Sequence, residues 1–522
     1  MDLTVATIRD LRAALDAGTL TCVELVGLYL NRIGHYDRHG ICLNAVPVLN
    51  PRVFEEARAS DRRRETGKAL GPLDGIPYLA KDSYAAAGLT VAAGSLAFEN
   101  LVAQRDSFAI ERLRAAGAIL IGLTNMPPMA AGGMQRGLYG RAESPFNAAY
   151  LTAAFASGSS NGSGSGTAAC FGAFSLAEET WPSGRAPASN NGLCAYTPSR
   201  GPISIRGNWP LIATMDAVVP YARCMDDLLE ILNALVVEDP QTRGDLWRQQ
   251  RAVKLPSPSE LRPIDFLSLR DRNALAGKRI GVSKMYINKD NGTARPIATR
   301  HSILQLWSLA ERELRDLGAQ IVEVDFPAVT NYEKPAGDAG SLVGRGLIPK
   351  EYPPSEGWHL VMHSWDDFLR ANGDEHLSSL AQVDGAQIFP LIPGALPDLY
   401  EGIPDFAKLT DAAREGVKTL DEIPFLEEGL KGLEQARRID LENWMDELGL
   451  DALVFPAVAD VAPADSDYNP LSSMPRGATA CGLPMANCAI RHLGIPHHHH
   501  LHGGDGRYAH ACGPYVCRTR LR

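Results

Sequence analysis

The sequence lacks the features that mark membrane, secreted and nucleic-acid-binding proteins. No run of about 18 apolar residues occurs along the chain, so no transmembrane helix is predicted. Residues 1–19 mix charged and apolar side chains and have no uninterrupted apolar segment of the signal-peptide kind. An excess of basic residues is also absent, since 51 Lys and Arg stand against 61 Asp and Glu. This balance argues against a nucleic-acid footprint.

Cysteine usage excludes a disulfide framework. The nine cysteines are scattered, odd in number and without a Cys-x-x-Cys pair, which is typical of free thiols in a reducing compartment. We therefore expect a cytoplasmic protein. With 45% hydrophobic residues, the 522-residue chain can bury a large core. Its length fits two or three domains, or one oversized domain.

Helical and strand-like periodicities alternate along the chain. Amphipathic helices are predicted after an N-cap at Thr7 and at 21–36, 51–66, 108–116, 303–317 and 426–448. Buried strands are predicted at 76–80, 118–125, 173–179, 279–283 and 321–324, and a further one at the start of 451–463. This alternation predicts an α/β architecture with a twisted mixed β-sheet core surrounded by helices.

Residues 157–189 carry most of the chemical information. They read SGSSNGSGSGTAACFGAFSLAEETWPSGRAPAS, with Ser159 and Ser183 on either side of a small-residue segment and a predicted strand. Gly/Ser tracts are more often linkers, but a strand follows this one at once, which favours a folded segment. Gly158–Gly162 also fits the GxSxG nucleophile elbow of α/β-hydrolases, although the strand that should precede it is not evident.

The candidate base for these hydroxyls is Lys81, in GPLDGIPYLAKDSY. A serine hydroxyl is a weak nucleophile until a base removes its proton. Lys81 can equally be a lysine that snorkels to solvent at the end of the strand 76–80. To act as a base it must be neutral, so burial has to lower its pKa from about 10.4. The apolar approach at 76–80 is compatible with such burial.

Three segments, in this order, resemble the amidase signature family of serine hydrolases, which cleave amide bonds with a Ser–Ser–Lys triad. The family patterns GPLxGIPxxxKD, GGSSGGS and GTDTGGSxRxPAS correspond to residues 71–82, 157–163 and 177–189. The resemblance implies one domain over 1–496, with a signature core at about 71–227 and a variable substrate-pocket region at about 238–449. It implies no metal and no organic cofactor.

The resemblance also implies a role for each site residue. Lys81 is the base, Ser159 is the bridging hydroxyl that follows a cis peptide bond, and Ser183 is the nucleophile that becomes acylated. The residues implied in oxyanion or substrate binding are Thr180, Trp181, Pro182 and Met129. The segment that holds Met129, 125–134, has an ordinary connecting loop as its alternative interpretation. Arg185 is implied as a structural anchor.

The nucleophile segment departs from the family pattern. Trp181 and Pro182 replace two glycines, and proline has no backbone N–H to donate. If that N–H belongs to the oxyanion hole, its loss costs about 10²–10³ in rate.

The predicted function is hydrolysis of a linear amide through a serine acyl-enzyme. An esterase, or an amidotransferase subunit that feeds ammonia to a transfer-RNA partner, is an alternative of the same class. A catalytically impaired relative that binds a ligand or a protein is the alternative from another class. The expected partner is a small-molecule amide substrate, and the resemblance leaves room for a homodimer, with no nucleic acid and no membrane span.

Residues 497–522, HHHHLHGGDGRYAHACGPYVCRTRLR, do not continue the family pattern. Their clustered histidines could bind a metal, but tandem histidines on a tail lack fixed supporting contacts. Codons can be chosen so that this stretch, shifted by one nucleotide, reads TITISMGVMADTHMPVGLTFAGR, which resembles the family's usual continuation. We therefore hypothesise a frameshift or a mis-called exon near Pro496, with a native tail as the alternative.

Overall fold

The computed structural model describes residues 1–289, 297–400, 403–473, 488–499 and 514–517. Within these ranges eleven strands join in one sheet. The strands are β1 (Val48–Leu49), β2 (Pro77–Lys81), β3 (Ile119–Thr124), β4 (Phe174–Glu179), β5 (Cys194–Thr197), β6 (Ala217–Ala222), β7 (Arg279–Ser283), β8 (Gln320–Val324), β9 (Ala452–Pro456), β10 (His497–His499) and β11 (Pro514–Cys517).

Helices surround this sheet. They are α1 (Ile8–Asp16), α2 (Cys22–Arg32), α3 (Val53–Glu65), α4 (Phe108–Ala115), α5 (Asn161–Ala168), α6 (Arg185–Asn190), α7 (Met225–Leu235), α8 (Leu246–Gln249), α9 (Pro258–Leu261), α10 (His301–Asp316), α11 (Pro327–Tyr332), α12 (Tyr352–Ser355), α13 (Val361–Asn372), α14 (Phe406–Glu415), α15 (Leu426–Arg437), α16 (Trp444–Leu448), α17 (Pro470–Ser473) and α18 (Ala489–His492). In the ranges that the structure covers, none of the helices combines the length and the apolar character needed to cross a membrane.

The spatial order of the strands is β1-β3-β2-β4-β6-β5-β10-β11-β9-β7-β8. β2 is parallel to β3 and β4, and β7 is parallel to β8 and β9. The strands between these two parallel groups pair antiparallel. The helices α4 and α10 each cross over between two adjacent parallel strands, as such pairing requires. The predicted α/β class with a mixed sheet is confirmed.

The predicted first helix is confirmed together with its N-terminal cap. The Thr7 side chain accepts the N–H of Asp10, and the Asp10 carboxylate accepts the N–H of Thr7, which forms a capping box. Ile8, Leu11 and Leu15 are the buried residues of α1, as their helical spacing predicts. Local cap chemistry and one apolar face therefore fix this helix from sequence alone.

The strands around the candidate lysine are buried on both faces. Every residue of β2, β3 and β4 is buried, which is why β2 and β3 are largely apolar in the sequence rather than alternating, whereas β4 ends in two buried glutamates. The predicted strand 76–80 is confirmed one residue later, at Pro77–Lys81. Lys81 is consequently the last residue of a central strand.

The Gly/Ser tract forms a helix, α5, which sequence analysis did not predict. Glycine and serine have low helix propensity, so tertiary packing must stabilise α5. A side chain at Gly162 would place its Cβ 2.4 Å from the backbone N of Asn125. The Ser163 hydroxyl donates to the Leu176 carbonyl at 3.1 Å. Small residues therefore let α5 lie directly against the backbone of the sheet, and the tract is not a linker.

Aromatic residues in the variable region serve mainly as core. Trp365 is fully buried and stacks on Phe406, with ring centroids 5.3 Å apart. Phe368 stacks on Trp209 with ring centroids 4.1 Å apart, whereas Trp358 is exposed. Of these three aromatics, Trp365 is therefore core.

The start of the C-terminal tail forms part of the sheet. β10 lies between β5 and β11, with His497 opposite Thr197 and Cys517. Residues 500–513 and 518–522 of the tail lie outside the described residues. The frameshift hypothesis stays a prediction, to be tested by sequencing the transcript across Pro496; an unbroken frame would contradict it.

Leu453→Ala tests the central packing of the second parallel group. Leu453 is fully buried in β9, opposite Gly281 of β7. Because truncation of a buried leucine leaves a cavity, we expect the free energy of unfolding, measured by urea denaturation, to fall by about 2–5 kcal/mol. The control Ile264→Ala removes a fully exposed side chain and should change stability by less than about 0.5 kcal/mol. Equal losses in the two variants would contradict this packing.

Candidate active site

The three predicted catalytic residues meet at the carboxyl ends of two parallel strands. Lys81 ends β2, and Ser183 lies in the turn that follows the neighbouring strand β4. Ser159 precedes α5, which packs against both strands. In open α/β sheets, ligands bind beyond the carboxyl ends of parallel strands. The topology therefore brings together residues that are far apart in the sequence.

A chain of hydrogen bonds joins the three side chains. Lys81 Nζ donates to Ser159 Oγ at 2.7 Å, and Ser159 Oγ donates to Ser183 Oγ at 3.1 Å. Lys81 and Ser159 are fully buried, and Ser183 is only 4% exposed. The peptide bond between Gly158 and Ser159 is cis. The structure thus provides a continuous path for a proton from Ser183 to Lys81.

Tight backbone packing holds the Ser159 segment. A Cβ on Gly158 would lie 1.9 Å from the carbonyl oxygen of Gly133, so only glycine fits there. Asn161 Nδ2 donates to the same carbonyl at 2.8 Å, and the Ser160 hydroxyl donates to the carbonyl of Glu178 at 2.9 Å. Residues 151–160 are all described and contain no strand. The nucleophile-elbow interpretation of Gly158–Gly162 therefore has no structural support.

Burial and one carboxylate act on Lys81 in opposite directions. Burial disfavours the ammonium form and lowers the pKa of Lys81, while the nearby carboxylate of Glu178 raises it, and burial prevails. Glu178 Oε1 lies 3.6 Å from Lys81 Nζ, and both side chains are buried. The interpretation of Lys81 as a lysine that snorkels to solvent is wrong, because its side chain has no exposed surface.

Glu178 is a site residue that the sequence reasoning missed. It occupies the position of the first threonine in the pattern GTDTGGSxRxPAS, and this departure from the pattern was the available signal. Its Oε2 accepts a hydrogen bond from the Ser83 hydroxyl. Sequence alone could not show that Glu178 and Lys81 share one side of the sheet, because that depends on how β2 and β4 align.

The turn that carries Ser183 has backbone donors on both sides of a proline. The N–H groups of Trp181 and Ser183 donate to no backbone or side-chain group within the described ranges, and Pro182 has no N–H. The Thr180 hydroxyl donates to Asp216 Oδ1 at 2.6 Å. Of the four residues predicted to bind the oxyanion or the substrate, Trp181 therefore offers a free amide, whereas Thr180 uses its hydroxyl to anchor the turn.

Met129 belongs to an apolar cluster. Its side chain is buried in the cluster that also contains Trp209 and Trp365. Its N–H donates to the Ala93 carbonyl at 2.7 Å, and its φ is +54°, which is uncommon for a non-glycine residue. That hydrogen bond removes the Met129 N–H as an oxyanion donor, and a contact between its side chain and a substrate stays a prediction.

A buried ion pair anchors the same turn. The Arg185 guanidinium pairs with the carboxylate of Glu179, which also accepts from the Thr197 hydroxyl at 3.0 Å and lies 3.3 Å from His497 Nε2. Burial opposes the ionisation of Glu179, but Arg185 and His497 outweigh it and lower its pKa to about 2. These contacts fit the predicted role of Arg185 as a structural anchor and tie the nucleophile turn to β5 and β10.

A cavity of about 410 Å³ lies beside the site. Its lining includes Asp216, Asn208 and Phe368 but none of Lys81, Ser159 and Ser183. Burial and the charge of Glu178 raise the pKa of Asp216 to about 8. Through its bond to Thr180, Asp216 connects this cavity to the turn before the nucleophile. In the part of the chain that is described, no group of three or more His, Cys, Asp or Glu side chains is arranged to hold a metal ion.

Comparisons with known proteins point to one family. A family model described as Amidase matches residues 24–343. A glutamyl-tRNA(Gln) amidotransferase subunit from Methylobacillus flagellatus is 32% identical over 325 residues, which are 62% of this chain and 60% of that protein. The mitochondrial counterpart from Canis lupus familiaris is 29% identical over 341 residues, 62% of this chain and 60% of that protein. The match thus spans only about 60% of the length of these relatives.

Solved structures match nearly the whole chain. The peptide amidase from Stenotrophomonas maltophilia superposes with a TM-score of 0.75 at 25% identity, over 99% of this chain and 94% of that one. An amidase family protein from Bacillus anthracis superposes with a TM-score of 0.70 at 22% identity, over 100% of this chain and 88% of that one. The predicted amidase signature fold is confirmed.

Arg185→Met tests the anchor of the nucleophile turn. Because the Glu179 carboxylate would lose its cation inside the protein, we expect the free energy of unfolding to fall by about 3–5 kcal/mol near neutral pH. Arg315→Met, which breaks a half-exposed helical pair with Glu311, should cost less than about 1 kcal/mol.

The same variant has a defined pH dependence. The pKa of Glu179 is about 2 in the folded protein and about 4.3 when unfolded, so the stability from its ionisation is present above about pH 4.3 and is lost as the pH falls towards 2. The stability difference between the wild type and Arg185→Met should therefore shrink over that acid range. A difference that does not depend on pH would contradict this account of Glu179.

Proposed function

The chain belongs to the amidase family, and from this we propose that it hydrolyses a carboxamide bond through a serine acyl-enzyme. Ser183 is the nucleophile, Ser159 is the bridging hydroxyl and Lys81 is the base. The observation that carries this proposal is the buried path from Lys81 Nζ to Ser159 Oγ, 2.7 Å, and on to Ser183 Oγ, 3.1 Å. Two hydroxyls aligned on a desolvated amine form the arrangement that serine activation requires.

The reaction begins with neutral Lys81. As Ser183 Oγ bonds to the substrate carbonyl carbon, its proton moves to Ser159 Oγ, and the proton of Ser159 moves to Lys81 Nζ. The N–H groups of Trp181 and Ser183 are the donors for the oxyanion that forms. When the C–N bond breaks, the proton returns along the same path to the leaving amine. Water then repeats the sequence on the acyl-enzyme and releases the acid.

We propose linear small-molecule amides as the substrate class. The likeness to a peptide amidase makes peptide amides the first compounds to test. An esterase would use the same acyl-enzyme, so a comparison of matched amide and ester substrates separates the two activities. Faster turnover of the ester alone would reassign the chain within the same mechanism.

The proposed setting is the cytoplasm, and the proposal leaves room for a homodimer. The likeness to amidotransferase subunits keeps a second assembly open, in which a partner protein receives ammonia. Because the match covers only about 60% of those subunits, the partner is a proposal of its own. Co-purification of a stable partner from native source would support it, and a homodimer or monomer alone would count against it.

One observation favours a second candidate function, a catalytically impaired binding protein. Pro182 replaces a residue whose N–H would stand next to the nucleophile, and the oxyanion site then has one donor fewer. The buried path to Lys81 argues for retained activation of Ser183. The two candidates make different predictions about the reactivity of that serine.

Labelling with a fluorophosphonate probe distinguishes these candidates. We expect the folded full-length chain to form an adduct on Ser183, located by peptide mass spectrometry, because Lys81 activates this hydroxyl through Ser159. Ser183→Ala should lose the adduct. Ser189→Ala is a matched control, because its buried hydroxyl has no hydrogen-bond partner among the described residues, and it should label normally. No adduct on the folded wild type would favour the binding protein, and an adduct on Ser160 would refute the assignment.

Pro182→Gly tests the missing oxyanion donor. The variant restores a backbone N–H beside Ser183. We expect the rate of acylation to rise by a factor of about 10²–10³, which is the usual effect of one oxyanion donor on the rate. Trp181→Gly is the control, since it removes the indole without adding a donor and should show no such increase. An unchanged rate in folded Pro182→Gly would mean that the N–H at this position does not contact the oxyanion.

A further inference from the structure

We propose that the carboxylate of Glu178 is the counter-ion of Lys81, which stabilises the lysine ammonium that forms when Ser183 gives up its proton. Glu178 would then act on Lys81 as the aspartate of a Ser–His–Asp triad acts on histidine. The inference rests on the proposed function and deepens it, since it assigns a fourth residue, a positioning group behind the base, to the same site.

The geometry places Glu178 behind Lys81 and beside the serine segment. Glu178 Oε1 lies 3.6 Å from Lys81 Nζ, and Ser83 donates its hydroxyl to Oε2. The backbone carbonyl of Glu178 accepts a hydrogen bond from Ser160 Oγ, in the segment that carries Ser159, at 2.9 Å. The Glu178 side chain is 1% exposed. One strand residue therefore contacts both the base and the loop that carries the bridging hydroxyl.

Glu178 is the nearest of three carboxyl groups that act on Lys81. The other two belong to Asp216 and Glu179. Asp216 accepts hydrogen bonds from Thr180 Oγ1 at 2.6 Å and from the Leu211 N–H at 2.9 Å. The charge of Glu179 is matched by Arg185, and Glu179 Oε2 also lies 3.3 Å from His497 Nε2.

The side chains that face Glu178 itself include one more ionisable group. This is the phenol of Tyr84, whose hydroxyl donates to the Ala177 carbonyl at 2.5 Å. Asp216, Glu179 and Tyr84 each bind other groups. Among the described residues, Glu178 is therefore the carboxylate that directly contacts Lys81.

The proton balance of the reaction gives Glu178 its role. Before acylation the pair holds a neutral amine and a carboxylate. When the Ser183 Oγ–C bond forms, one proton arrives on Lys81 by way of Ser159, and the pair becomes an ammonium next to a carboxylate. An opposite charge within about 4–6 Å favours the charged form of a buried group. Glu178 therefore lowers the energy of the state in which the oxyanion exists.

The same attraction restricts the pH at which the base is neutral. Burial alone would leave Lys81 neutral over a wide range, while Glu178 favours its ammonium form. The rate of Ser183 acylation should therefore rise with pH through the titration of Lys81, and Glu178 should hold the midpoint of that rise at a higher pH than burial alone would. A purely structural glutamate would affect stability but not this midpoint.

The test measures the rate of fluorophosphonate labelling of the full-length chain between about pH 6 and about pH 11. In Glu178→Gln, which keeps an acceptor for Ser83 but has no charge, we expect the midpoint to move to lower pH by about one to three units. The rate on the alkaline plateau should fall, because the lysine ammonium loses its counter-ion. Glu178→Asp keeps the charge and should leave the midpoint close to that of the wild type.

Glu356→Gln is the matched control. Glu356 is buried to a similar degree, but its carboxylate is bound by Thr214, Tyr352 and His492. This variant should lose stability while keeping the wild-type midpoint. If Glu178→Gln does not fold, Ser83→Ala takes its place, because a carboxylate that has lost the Ser83 hydroxyl acts more strongly on Lys81 and should move the midpoint by a smaller amount in the opposite direction, to higher pH.

The outcomes separate this inference from the proposed function. A folded wild type that forms no adduct on Ser183 overturns both. A wild type that labels, together with a folded Glu178→Gln of unchanged midpoint, overturns the role of Glu178 and leaves the Ser183 mechanism standing. A shifted midpoint in Glu178→Gln but not in Glu356→Gln supports the counter-ion.

Discussion

The burial of Lys81 is the constraint on which the rest of the site depends. A lysine amine becomes a base near neutral pH only when water is kept from it. Water is excluded because Lys81 ends a central strand with covered faces, and this requires the continuous apolar run that precedes it. The buried amine then needs partners. Ser159 and Glu178 supply them, at 2.7 and 3.6 Å.

The geometry of strand β4 gives the adjacent residues Glu178 and Glu179 different partners. Successive side chains of a strand point to opposite faces of the sheet, so Glu178 and Glu179 at the end of β4 face different surroundings. Glu178 contacts Lys81, whereas Glu179 pairs with Arg185 and His497. Each buried carboxylate therefore has a cationic or hydrogen-bonding partner of its own. Glu178 acts on the base by direct contact, and Glu179 acts on it from farther away.

Six of the eleven described strands, β2, β3, β4, β7, β8 and β9, and several of the helices could be predicted from the sequence, because local signals determine them. The capping box at Thr7 and the apolar run of β2 are such signals. The helix α5 could not be predicted, since glycine and serine disfavour a helix and only the fit of Gly162 against the sheet backbone makes it stable.

The candidate site was likewise only partly predictable from the sequence. Motif order indicated Lys81, Ser159 and Ser183, and these three side chains do meet. The role of Glu178 could not be predicted, because its contact with Lys81 depends on the parallel alignment of β2 and β4, and no single motif determines that alignment. The segment around Met129 could be part of the binding site or an ordinary loop. The hydrogen bond from its N–H to the Ala93 carbonyl depends on the tertiary structure, so the sequence could not predict it.

The first residue of the tail is joined to the same site through the sheet. β10 pairs with β5 and β11 through backbone groups, which every non-proline residue carries, so this pairing is open to the residues of either reading frame. The side chain at 497 matters more, because it faces Glu179. Histidine offers a ring nitrogen there, and the shifted frame would offer a threonine hydroxyl. Both can donate a hydrogen bond, and burial lowers the pKa of His497, so in either frame residue 497 acts on Glu179 as a neutral hydrogen-bond donor while Arg185 remains the cation that holds the turn.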